Sequence, residues 1–128
     1  MRKSILTCIL LISTTVLLSN KVLAQEKIPH STVLVINADV DEEHKSELKG
    51  YLSQMMQIFK EYDGKPLGRY KTIEKIKGSQ APEMIAMISF ENVETIKTML
   101  NGNKYKSLSE LRERVFSDLN IVLCTELN

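Results

Sequence analysis

Met84-Ile85-Ala86-Met87-Ile88-Ser89-Phe90 is apolar on both of the faces a strand presents, and so is the shorter run Val33-Leu34-Val35-Ile36 within Ser31 to Asp39. Successive side chains of a strand point to opposite sides of its sheet, so a run without polar alternation belongs to a strand covered on both faces. Between these two lies a segment, Leu67 to Lys77, that carries Lys71, Lys75 and Lys77 on one alternating face. Lysines at that spacing suit a sheet edge guarded against pairing with other chains. Ile121 to Thr125 supplies a fourth strand. The first and third strands are therefore expected at the centre of the sheet and the second and fourth at its edges.

Helical periodicity fills the gaps. Leu48, Tyr51, Leu52, Met55, Phe59 and Tyr62 recur at three- and four-residue steps, preceded by the acids Asp41, Glu42 and Glu43 and closed by Asp63-Gly64. This is a helix with one buried stripe, acids at its positive end and a glycine at its cap. Val93, Ile96, Met99 and Leu100 mark a shorter helix ended by Asn101-Gly102, and a last helical stretch runs from Tyr105 with Leu108, Leu111 and Val115 in phase. The order βαββαβ predicts an α+β fold, a ferredoxin-like sandwich with a four-stranded antiparallel sheet. Two helices cover only one face of such a sheet, yet the central strands are apolar on both. A second copy of the same sheet is the simplest cover, so a two-fold symmetric homodimer is expected.

The start of the chain has a different character. Arg2 and Lys3 precede an apolar run from Ile5 to Leu18, followed by Val22-Leu23-Ala24 before Gln25. That order predicts a signal peptide over residues 1–24, cleaved to leave a single domain over residues 25–128 that is exported to the periplasm or secreted. The run is short of the roughly 20 residues that span a bilayer, so no membrane association is expected after cleavage. Removing residues 1–24 takes away Arg2, Lys3 and Lys21 and no acid, so 17 basic and 16 acidic residues become 14 and 16, a net charge of −2. Lysine and arginine are scattered, which argues against nucleic acid as a partner. Cys8 leaves with the signal, and Cys124, beside Ile121, Val122 and Leu123, is expected to be buried as a small apolar group.

Several motifs in order resemble a known family. Tyr62-Asp63-Gly64-Lys65-Pro66-Leu67-Gly68-Arg69, then Ile88-Ser89-Phe90 with Val93-Glu94-Thr95-Ile96, then Tyr105, Leu108 and Arg112, are similar to domain of unknown function 1330, over most of residues 31–126. Asp63 stands where that pattern has its first glycine. The resemblance implies a dimeric α/β barrel with a cavity between sheet and helices or inside the barrel. It also implies that Arg69, Tyr105 and Arg112 lie at the cavity rim. Relatives in the wider superfamily include cofactor-free oxygenases and isomerases, haem binders and proteins without known chemistry, so fold alone does not assign the function.

Two guanidiniums and a phenol suit a carboxylate or enolate oxygen. The bland alternative pairs Arg112 with Glu110 or Glu113, leaves Arg69 solvated on its strand and packs Tyr105. Asn37 and Asp39 share a strand face with Val33 and Val35, as polar fixtures of an apolar barrel or as strand-end turn formers. His30 and His44 are the only histidines, and neither has partners at metal-site spacing beyond Asp41 three residues before His44. No metal and no cofactor are expected. Met55, Met56, Met84, Met87 and Met99 read as core filling, with Met56 beside the main stripe. There is no glycine-rich phosphate loop, no Ser-His-Asp order and no recognisable carboxylate pair. The functional expectation is an exported dimer binding a small, partly apolar or anionic molecule. The alternatives are a cofactor-independent oxygenase or isomerase, with Tyr105, Asp39 or His44 taking a proton, and an interaction dimer without ligand. Catalytic residues stay unknown at this level.

Overall fold

The computed structural model describes residues 32–127, so the signal-like segment, its cleavage point and His30 lie outside the described residues. The elements are β1 (Thr32–Val40), α1 (Lys45–Glu61), β2 (Lys65–Lys71), β3 (Met84–Phe90), α2 (Val93–Asn101), α3 (Asn103–Ser107), α4 (Ser109–Val115) and β4 (Phe116–Cys124). The four strands form one sheet in the order β2-β3-β1-β4, and every neighbouring pair is antiparallel. This is the α+β, ferredoxin-like arrangement, with the two doubly apolar strands at its centre. No helix among the described residues is long and apolar enough to cross a membrane.

Register assigns the faces. Leu34 pairs with Ile88 and Leu123, while Val35 pairs with Met87 and Val122. Even-numbered β1 residues turn toward the helices, where Leu34 and Ala38 are sealed, and odd-numbered ones turn to the opposite, open face, where Val33 and Val35 are half-buried. The core lies between the helix-side sheet face and the helices. Phe59 of α1 meets Phe90 of β3 edge-on at 6.0 Å, the geometry their ring quadrupoles favour. Ile96 and Met99 of α2, with Val115, complete the sealed interior.

Local chemistry sets the helix ends. The Asp41 carboxylate accepts the backbone N–H groups of Glu43 at 2.9 Å and His44 at 3.3 Å, satisfying donors just ahead of α1. Asn92 caps α2 by accepting the Thr95 N–H at 2.9 Å. At the end of α1 the left-handed residue is Asp63, with φ 56°, rather than the glycine expected there. Gly64 is required for space instead: a Cβ on it would stand 2.7 Å from the Phe90 ring and 2.9 Å from the Phe59 carbonyl.

Four expectations need correction. β2 starts earlier and stops at Lys71, because Thr72 bonds Pro82 and Glu83 and closes the β2–β3 pairing. Lys75 and Lys77 therefore sit in the exposed connection, as do Ile73 and Ile76. The last helical stretch breaks into α3 and α4. β4 begins at Phe116, five residues before the expected start, because the strand continues straight from α4. Cys124 is exposed, since it ends an edge strand on the open face rather than lying within the core.

Candidate functional site

The helix-side face of the sheet and α1 do not close completely on each other. Between them is a cavity of about 450 Å³, floored by Leu34, Ile36, Ala86 and Ile88 and roofed by Leu52, Met55 and Phe59. Met56, Pro66 and Leu67, all exposed, line it on the β2 side and mark its mouth there. Met84 and Met87 also line it, so four of the five methionines of the domain, Met55, Met56, Met84 and Met87, serve as cavity wall. Flexible thioethers make such a wall adaptable to the shape of an occupant.

Arg69 reaches this cavity through an irregularity in β2. Pro66 pairs with Ile88, but the next pair is Gly68 with Met87, so Leu67 is an extra residue. After this bulge Arg69 pairs with Ala86, on the cavity side. Uninterrupted pairing would set Arg69 opposite Ile85 on the open face, because a shift of one residue exchanges the two faces of a strand. Gly68 accommodates the change: Tyr70 folds back so that its ring carbon Cζ is 2.6 Å from where a Cβ on Gly68 would be. Among the described residues Arg69 has no salt bridge, and it is the one cationic side chain lining the cavity.

Tyr105, on α3, lines the cavity as well. Arg112 of α4 is placed beside it: its guanidinium carbon lies 4.3 Å from the centre of the Tyr105 ring, and Nη1 donates to the Tyr105 carbonyl at 3.4 Å. That stack replaces the alternative in which Arg112 pairs with Glu110 or Glu113, and neither acid forms a salt bridge among the described residues. The neighbouring Arg114 is the arginine that pairs, with Glu47 at 2.7 Å, and it holds the Glu47 carboxyl below its ordinary range.

One polar lining residue escaped the sequence reading. Tyr51 appears there only as part of the apolar stripe of α1, but it lines the cavity while being 5% exposed, with its ring edge-on to Phe116 at 5.3 Å. Burial pushes its phenol up to about 12, and the nearby Arg112 charge pulls partly the other way. The available signal was its polar tip within an otherwise apolar stripe.

The other candidates lie elsewhere. Asn37 is on the open face, between Ile85 and Asn120. Asp39 accepts the Glu83 N–H at 2.7 Å, and Glu83 in turn accepts the Val40 N–H at 3.3 Å, so Asp39 fastens the loop before β3. His44 stands at the start of α1 with Nδ1 3.2 Å from Asp41. That hydrogen bond, reinforced by the two backbone donors, holds the Asp41 carboxyl below its usual range. Asp41, Glu43 and His44 bring ligand-type atoms within 4.8 Å of one another, but this Asp41 oxygen already serves the helix start.

Comparison with known proteins agrees with this geometry at the level of fold. The structure is similar to the RPA0582 protein of unknown function from Rhodopseudomonas palustris, at 10% identity and TM-score 0.67 over 78% of this chain and 85% of that one. It is also similar to PA3566 from Pseudomonas aeruginosa, at 11% identity and TM-score 0.58 over 77% and 96%. A third similar structure is a proposed antibiotic biosynthesis monooxygenase from Bacteroides thetaiotaomicron, at 17% identity and TM-score 0.55 over 77% and 91%. No curated protein matches the sequence. The model of one family, described as domain of unknown function (DUF1330), matches residues 32–126, nearly the whole described sandwich, and the chain therefore belongs to the DUF1330 family.

Proposed function

We propose that this protein is an exported, dimeric domain that binds a small, largely apolar molecule in the cavity beneath α1. The observation that carries the reading is the cavity itself. Its volume of about 450 Å³ is within the usual range for small-molecule sites, its wall is apolar, and its polar groups are few. Arg69 and Tyr105 are the rim residues that could orient a polar group, with Arg112 positioning Tyr105. Filling the floor tests it. Ala86→Leu should abolish binding of the neutral fluorescent probe methyl 2-naphthoate while the protein stays folded by circular dichroism. Equal binding by the variant would remove the cavity reading.

The pairing part of the reading rests on the open face, where Val33, Val35, Ile85, Met87 and Val122 adjoin across three strands with no helix over them. Asn37 would then lie inside the barrel between the two sheets. Sedimentation velocity tests it, since a monomer at all concentrations would overturn the pairing. Catalysis is less well supported. Asp39 and His44 are engaged away from the cavity, and a phenol pushed up to about 12 keeps its proton near neutral pH, so Tyr51 suits hydrogen-bond donation better than proton abstraction.

A further inference from the structure

The polar groups of the cavity are separated by the width of the sheet. Arg69 is on β2, one edge, whereas Tyr51 packs on Phe116, at the start of β4, the other edge. Three strand spacings of about 4.8 Å put these edges roughly 14 Å apart, and the floor between them is apolar. Arg112 serves the same end as Tyr51: its guanidinium lies over the face of Tyr105, donates to the Tyr105 carbonyl and stands close enough to the Tyr51 hydroxyl to favour its charged form. Among the described residues no hydrogen bond takes up the Tyr51 hydroxyl proton, and since no enclosed polar side-chain atom lacks a partner, that oxygen opens onto the cavity Tyr51 lines.

We infer that the cavity takes an elongated apolar monoanion, with its carboxylate-like charge at Arg69 in the mouth and an oxygen at its far end facing the Tyr51 hydroxyl. This deepens the binding reading above and rests on it. The bulge at Leu67 is the feature that makes the assignment specific. It sacrifices regular pairing in β2, and its consequence is a guanidinium turned toward an apolar cavity rather than toward the open face. A forked, permanent cation there selects an anionic group, because a carboxylate gains charge-assisted bonds that an ester does not. One cation on the lining selects one charge. At the other end a buried phenol whose proton has no protein acceptor rewards an oxygen and disfavours a bare hydrocarbon terminus. Tyr51 is thereby a binding residue and Arg112 a positioning residue.

The test is a set of fluorescence titrations of the full-length protein with 2-naphthoate, 6-hydroxy-2-naphthoate and methyl 2-naphthoate. The native protein should prefer 2-naphthoate to its ester by about tenfold. Arg69→Gln should erase that preference with the ester's affinity unchanged. Tyr51→Phe should keep the preference but lose the added affinity of the 6-hydroxyl probe. A preference that survives Arg69→Gln, or a hydroxyl gain that survives Tyr51→Phe, overturns this inference while leaving the cavity reading intact. Failure of all three probes to bind, the neutral ester included, removes the cavity reading and this inference with it.

Discussion

Val35→Glu is expected to break the proposed dimer into monomers without unfolding them. Val35 lies on the open face with Met87 on one side and Val122 on the other, the middle of the apolar patch. Four strands about 4.8 Å apart, with seven residues in β3, present a face of roughly 19 by 23 Å, or about 450 Å² in projection. Side-chain relief enlarges this toward the roughly 800 Å² per partner of an ordinary stable interface. In a symmetric dimer the substitution acts twice. Each copy loses about 1 kcal/mol of apolar burial and gains a carboxylate whose effective desolvation costs several kcal/mol more. A total of about 6 kcal/mol weakens association by roughly ten-thousandfold. A dimer that is tight at micromolar concentration then sediments as a monomer. In that monomer the introduced carboxylate would face water, so circular dichroism and cooperative melting should persist, and Val35→Thr should retain most of the pairing. A variant that sediments as the same dimer as the native protein would refute the placement of the interface on this face.

Two further perturbations test the interior. Burial raises the Tyr51 phenol from an ordinary value of 10 to about 12, so its contribution to stability is complete below pH 10 and is lost as pH rises toward 12, amounting to about 2–3 kcal/mol. Urea unfolding across that interval should fall more steeply for the native protein than for Tyr51→Phe, and parallel curves would show that the phenol is not desolvated. Gly64→Ala forces a methyl against the Phe90 ring and the Phe59 carbonyl, and because the carbonyl belongs to fixed backbone it should cost about 1–3 kcal/mol in urea denaturation. A stability unchanged from that of the native protein would mean that the end of α1 yields more readily than its packing indicates.

The parts of this fold that were legible in the sequence are those where regular periodicity holds. Val33-Leu34-Val35-Ile36 and Met84 to Phe90 read as doubly covered strands, and they pair with each other at the sheet centre. The α1 stripe is similarly redundant, with Tyr51, Met55 and Phe59 of it buried and Leu48, Leu52 and Tyr62 half-buried. The errors cluster where one residue breaks the alternation. β4 carries polar Ser117, Asp118 and Asn120 near its start, and its register with β1 shifts between Asp39 and Val40, so its first half does not show a clean two-residue repeat. In β2 the extra Leu67 decides which face Arg69 occupies. Gly68, a glycine inside a strand, was the one local hint of that bulge. Tyr51 was hidden in another way, since helical periodicity reports that a side chain is inward but not whether its polar tip is paired. The two residues assigned to opposite ends of the proposed ligand thus come from a break in strand pairing and a polar atom on an apolar face. Both are departures from pattern, and they are the places where a sequence consistent at every other level would carry chemistry rather than stability.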